Sequence, residues 1–251
     1  SRGLGDVYKR QGINGWEFSV EGYYKDMRNV LEYKDGVSFF GSSSGWENKV
    51  EMGKGRSAGI EFMAQKTAGK TTGWLSYTLS KSDRKFTKGG INNGEWFPYK
   101  YDRHHSINLT INHKFSDRID IGASWVFYTG GTSTIPEEKT TVIRPHNGAN
   151  NGFLWYGTYD NTNSSPTIGD VSYIEHRNNF RLPASHRLNL GVNFNKKTKH
   201  GMRTWNISLY NAYNAMNPAW VYRGHNKQGL SVIKKYTLLP LIPSFTYTYK
   251  F

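Results

Sequence analysis

Cysteine is absent from the 251 residues, which removes disulfides, thiolate metal sites and cysteine nucleophiles. Long apolar runs are missing too. Hydrophobic residues make up 36% and the mean hydropathy is −0.70, so no segment approaches the roughly 20 apolar residues of a membrane-spanning helix. No stretch sustains a helical period. Acid is scarce beside base, with 19 Asp+Glu against 33 Lys+Arg and a net charge of +14. That excess suits a polyanionic neighbour such as nucleic acid, phosphorylated lipid or an acidic ligand. The first eleven residues, SRGLGDVYKRQ, contain no Met, no signal-peptide apolar region and no strand pattern. Residues 1–13 are therefore read as an unassigned or non-native tail, and the chain as part of a longer protein.

Aromatic residues, in contrast, are plentiful at 15%. The last eight residues alternate without a break, with Phe245, Tyr247, Tyr249 and Phe251 on one face and Ser244, Thr246, Thr248 and Lys250 on the other. Seven earlier segments repeat that period of two, at about 14–25, 56–67, 72–84, 103–115, 118–129, 186–196 and 202–213. In the cleanest, Ile107, Leu109 and Ile111 oppose Ser106, Asn108, Thr110 and Asn112. Short turns at 68–70, 116–118 and 197–201 alternate strictly with long excursions at 26–55, 85–102, 130–185 and 214–242. Structureless loops of that length count against a compact soluble domain. They are normal in an outer-membrane barrel, whose short turns face the periplasm and whose long loops face outward. The last excursion reads as two arms, 202–223 and 230–251, around a hairpin tip at 224–229. Pro218, Pro240 and Pro243 then belong at bulges or edges above the bilayer. The expected fold is all-β, a transmembrane antiparallel up-and-down barrel occupying residues 14–251.

Several stretches resemble TonB-dependent outer-membrane receptors, in particular the large-loop kind of the glycan-importing branch. They are YKDMRNV at 24–30, SYTLSKS at 76–82, NNGEWFPYKYDRH at 92–104, YNAYNAMNP at 210–218 and the ending LIPS through Phe251. The resemblance implies a barrel of about 22 strands, of which this chain supplies the C-terminal eight. It also implies a plug domain and a TonB-contacting segment outside these residues, and active import of an oligosaccharide, a siderophore or a similar ligand by the intact protein. Phe245, Tyr247, Tyr249 and Phe251 resemble the signal recognised by the barrel-assembly machinery. Partners implied are outer-membrane lipid and lipopolysaccharide, the assembly machinery, the TonB complex and a surface lipoprotein. Small and amide-bearing residues on the polar faces suit a wetted wall around a wide lumen.

No catalytic constellation is found, and neither a cofactor nor a metal site is expected. His104 and His105 adjoin Asp102, but neighbouring strand residues point to opposite faces, so they are read as positioning residues at the outer rim. Glu137 and Glu138 are read as solvated loop carboxylates, and Gly53-Lys54-Gly55 and Gly130-Gly131 lack the context of a phosphate loop. Candidate ligand-binding residues lie in the outer loops: Asn92, Asn93, Trp96, Tyr99, Trp155 and Tyr156. Aromatic faces beside amides suit saccharides or other polar organic ligands, and the same rings could instead pack loop against loop. Two stretches are basic without acid, 196–203 and 223–235. Loop cations could meet lipopolysaccharide phosphates. The aromatic faces are nearly free of cations, which argues against nucleic acid. A soluble β-sandwich carbohydrate-binding module and a passive small porin-like barrel stay open as alternatives.

Overall fold

A computed structural model describes residues 2–35, 45–88, 90–136, 138–143 and 168–251. Among them sixteen strands run in order: β1 (Arg2–Ile13), β2 (Trp16–Tyr33), β3 (Val50–Lys66), β4 (Thr71–Lys85), β5 (Phe97–Pro98), β6 (His105–Lys114), β7 (Ile119–Tyr128), β8 (Thr132–Ser133), β9 (Glu138–Ile143), β10 (Ile168–Tyr173), β11 (Phe180–Arg181), β12 (Ser185–Thr198), β13 (Gly201–Tyr210), β14 (Pro218–His225), β15 (Ser231–Thr237) and β16 (Ile242–Lys250). The wall is one antiparallel sheet in the order β1-β2-β3-β4-β6-β7-β12-β13-β16, with β5 added to β4. Each wall strand pairs with the next wall strand along the chain, and β1 and β16 form its two open edges.

The wall thus has nine long strands where alternation alone reveals eight. The extra strand is β1, drawn from residues expected as a tail. Its backbone pairs with β2 from Arg2↔Asp26 to Ile13↔Trp16. Ladder hydrogen bonds need no side-chain alternation, so β2 can recruit a strand without a sequence pattern. The loop-side ends of β2 and β3 also exceed the expected bounds, continuing to Tyr33 and back to Val50. At about 3.3 Å per residue the 18-residue β2 far exceeds an apolar band of about 25 Å. Its upper part extends beyond that band, where neither face must be apolar, so alternation can fade after Lys25 while pairing continues.

Register converts the alternating patterns into two continuous faces. On one, Phe18, Ala64, Leu75, Leu109, Trp125 and Leu188 stand side by side across β2, β3, β4, β6, β7 and β12. The same face continues as Ile121, Val192, Ile207 and Phe245, and below that as Ile119, Phe194, Trp205 and Tyr247. Most large side chains of this face remain exposed, with Ile60, Ile207 and Phe245 at 56%, 48% and 66% exposure. A β-sandwich would bury such a face beneath a second sheet, and that alternative fails here. The opposite face is polar. Near the turns, Asp120 accepts the amides of Asn193 and Asn195 at 2.7 Å each, Thr204 donates to Asn195 at 2.7 Å, and Asn206 donates to Asn193 at 2.7 Å. This bonded lattice ties β7, β12 and β13 together on the side of the sheet that would face water.

No helix is long and apolar enough to cross a membrane, among the described residues. The buried apolar cluster is small and sits on the loop side, where Phe86, Ile91 and Phe97 pack with Val30. The last excursion is a hairpin as expected, with β14 paired to β15 from Pro218↔Thr237 to His225↔Ser231. Pro218 lies at its register shift, and Pro243, opposite Leu209, is the second residue of the edge strand β16. Both positions tolerate the missing N–H.

Candidate ligand-binding site

The long connections meet at one end of the wall, and residues 177–181 join them. Arg177 donates from Nη1 to the Tyr33 carbonyl at 2.7 Å and to Asp35 at 3.0 Å, and from Nη2 to Glu32 at 3.3 Å. Its backbone N–H donates to Asn92 Oδ1 at 2.7 Å. Asn178 donates to the Pro98 carbonyl at 2.7 Å, and Asn179 exchanges two bonds of 2.9 Å with the backbone of Ile135. Phe180 and Arg181 then pair as β11 with Ser133 and Thr132 of β8. Five consecutive residues thereby clasp the β2–β3, β4–β6 and β7–β12 connections.

Arg181 makes the most buried contact of this strap. Its Nη2 lies 2.6 Å from Asp102 Oδ2, and its Nη1 donates to the carbonyls of Asp102 and Gly130 at 2.7 and 2.9 Å. Asp102 is almost fully buried and accepts the Ser82 N–H at 2.7 Å on its other oxygen. His104 Nε2 stands 3.0 Å from the same carboxylate. His105 diverges, its Nδ1 meeting the Tyr77 hydroxyl at 2.9 Å in the row of the apolar face. The two histidines serve separate partners. Among the described residues no three His, Asp or Glu side chains gather as metal ligands.

Beside this anchor a cleft of about 400 Å³ is lined by Lys100, Tyr101, Arg103, Tyr128, Asn178 and Trp220, among others. Tyr128 stands opposite Ser185 in the polar-face register, so the cleft opens on the water-facing side of the wall. Arg103 lies 4.0 Å over the Tyr128 ring and Lys100 4.8 Å over Tyr101. Trp220 stacks on Tyr236 at 4.2 Å. A smaller hollow adjoins it, sharing Tyr128 and Pro218. There Arg187 lies 4.4 Å over the Tyr210 ring and donates to its hydroxyl, while its Nε is buried without a hydrogen-bond partner. No carboxylate lines either space among the described residues. Stacked guanidiniums keep their charge and most of their donors available, so the arrangement can hold an anionic ligand with flat or ring faces.

The expected loop residues separate. Asn92 is buried and fully engaged, its N–H donating to Asp35 at 2.9 Å and its Oδ1 taken by Arg177. Asn93 is exposed at φ 50° on a tight turn. Trp96 lies 4.4 Å from the Arg56 guanidinium, and Arg56 stands in the apolar-face register beside Asp83. Tyr99 lies 3.9 Å from Arg84 and edge-on to Tyr101 at 5.3 Å, adjoining the cleft. Trp155, Tyr156 and Glu137 lie outside the described residues. Arg103, Tyr128, Arg187 and Trp220 were not singled out from sequence. A usable signal existed, since Tyr128 and Arg187 are large residues on a face occupied mainly by smaller ones such as Ser124, Asn189 and Gly191. Phe245, Tyr247 and Tyr249 join the apolar face, Phe245 and Tyr247 lying 5.0 and 4.4 Å from Trp205, and Phe251 follows the last paired residue.

A family model described as TonB dependent receptor-like, beta-barrel matches residues 7–217. The chain belongs to this family. It is accordingly part of an outer-membrane receptor barrel, and the short turns mark its periplasmic side. No curated protein sequence matches it significantly. Among solved structures it is similar to the ferric-catecholate import receptor Fiu of E. coli K12 in its closed form, with a TM-score of 0.53 and 13% identity. That match covers 96% of this chain and 26% of Fiu, so the chain spans about a quarter of that receptor's length. The likeness shows a shared barrel architecture.

Proposed function

We propose that the intact receptor captures an anionic, ring-bearing ligand in the Arg103–Arg187 cleft and imports it by TonB-dependent transport through a plugged barrel of about 22 strands. The observation that carries this reading is a guanidinium stacked on Tyr128 in the water-facing cleft and a second stacked on Tyr210 in the hollow adjoining it, neither space having a carboxylate among its described lining residues. Acidic oligosaccharides and ferric catecholates both fit that chemistry. The first agrees with the large-loop glycan-importing type, the second with the ferric-catecholate import of the similar receptor Fiu. Tyr99, at the edge of the cleft, belongs to the same capture surface, and Trp155 and Tyr156 are assigned to it from sequence. Phe251 and the alternating aromatics before it serve as the assembly signal, and a surface lipoprotein would cover the mouth.

Lipopolysaccharide is the proposed outer-leaflet partner. Arg28, Lys54 and Lys85 stand side by side in one row of β2, β3 and β4, on the face of Ile60 and Leu79 and above its apolar band. Such a row suits lipid phosphates. The test of ligand capture is equilibrium binding to the intact receptor of a ferric tris-catecholate and, separately, of an oligogalacturonate. One of the two should bind, and Arg103→Gln with Arg187→Gln should weaken it by about tenfold or more. Binding unaffected by both substitutions would place capture elsewhere.

A further inference from the structure

At the periplasmic end of the wall, Lys196 of β12 stands directly opposite Arg203 of β13, and Arg203 stands opposite Tyr249 of β16. Register places this row on the apolar face, one step beyond Phe194, Trp205 and Tyr247. Like charges directly opposed across strands are destabilising. Among the described residues neither side chain has a hydrogen-bond or ion-pair partner that would relieve them. Asp117, in the neighbouring turn, is held by Lys114 at 2.9 Å, and Asp120 faces the other side with both oxygens on Asn193 and Asn195. The connecting turn adds Lys199 and His200, and residues 196–203 contain no acid. A local conflict of this kind, left uncompensated inside the fold, points to a compensating group outside it.

The row's position identifies that group. It lies just beyond a band of exposed rings, where long basic side chains lay their stems on apolar surface and extend their charged heads into the headgroup layer. A guanidinium and an ammonium on adjacent strands, with a phenol beside them, can together grip a phosphate diester, the guanidinium through two parallel N–H bonds. We infer that Lys196, Arg203 and Tyr249 form a headgroup site for an anionic phospholipid in the inner leaflet of the outer membrane. The orientation rests on family membership and not on the ligand reading, so failure of ligand capture leaves this site standing.

The test is native mass spectrometry of the intact receptor with phosphatidylglycerol and phosphatidylethanolamine of identical acyl chains. Phosphatidylglycerol should bind preferentially. Each cation removed should lower its affinity about fivefold, with Lys196→Gln tested alone in case the pair with Arg203→Gln impairs assembly. The charge-conserving pair Lys196→Arg and Arg203→Lys should keep the preference, which a purely structural role for these side chains would not require. Equal binding of the two lipids, or an unchanged preference after Lys196→Gln, overturns the site. Retention on purified peptidoglycan that is lost in the same variant would assign the row to the cell wall and overturn it equally.

Discussion

Single residues hold the mouth together, and the Arg181–Asp102 contact is the tightest of them. With Arg181 replaced by Met, the buried Asp102 keeps its Ser82 partner and loses its main counter-charge. Loss of one partner from such a contact costs about 2–3 kcal/mol when the remaining group is partly compensated. The expected outcome is faster proteolysis within the 129–184 connection, measured on the intact receptor, with barrel migration on gels unchanged. Asp117 offers a pH test. The hydrogen bond from Lys114, followed by the charges of Lys114 and Lys197, holds its carboxyl below the ordinary value. A depressed carboxylate contributes stability that is present above its unfolded value and lost as pH falls through the folded one. An NMR titration should place Asp117 below a free aspartate, and Lys114→Gln should return it toward the ordinary range. The turn is fully exposed, so added salt should erode the shift. Little of this residue-level detail was legible in the sequence. Arg177 meets Glu32 across 145 positions, and no local pattern encodes a pairing made only when distant loops converge.

Elements were far more legible, because period two is imposed by the surroundings and not by the partner. Between the membrane boundaries one face meets lipid and the other water, so Ile107, Leu109 and Ile111 must alternate with Asn108 and Thr110. Beyond those boundaries the constraint lapses, and the upper parts of β2 and β3 pair without announcing it, whereas β1, lying beside Trp16–Asp26, joins the wall through its backbone ladder alone. The same asymmetry makes a paired prediction. Ile207 and Ser208 are neighbours on β13 and face opposite sides. Ile207→Arg puts a charge on the lipid side and should cost about 2–4 kcal/mol near the midplane. Ser208→Arg puts the same charge on the water side and should be tolerated. Urea unfolding of the intact receptor from lipid vesicles compares them directly. Equal losses would mean that the two faces are assigned wrongly.

For the molecule as a whole, the wall is an open sheet of nine long strands whose edges, β1 and β16, each leave a row of backbone groups unpaired within the described residues. Lipid cannot satisfy those groups, which is why spanning sheets close. Residues 1–251 expressed alone should therefore fail to form a heat-modifiable, protease-resistant barrel in vesicles, whereas the intact receptor should form one. A compact resistant species from the isolated chain would show that its edges can meet. Composition already pointed to this architecture, since a mean hydropathy of −0.70 beside so many aromatics suits strands that hide their apolarity on one side. The mouth was less readable at this scale because its aromatic and amide residues divide between the two faces of the wall, Trp96 on one and Tyr99 on the other.

The strap at 177–181 has a mechanical meaning. Three connections that would otherwise move independently share one five-residue tether, so the mouth has fewer degrees of freedom than it has loops. Displacing any one of them pulls on Arg177, Asn178, Asn179 or Arg181, and through them on the other two. Release of the Arg177 end would free the β2–β3 connection while Asn178, Asn179 and Arg181 still hold the other two, so the width of the entrance is set stepwise by a few polar and charged contacts.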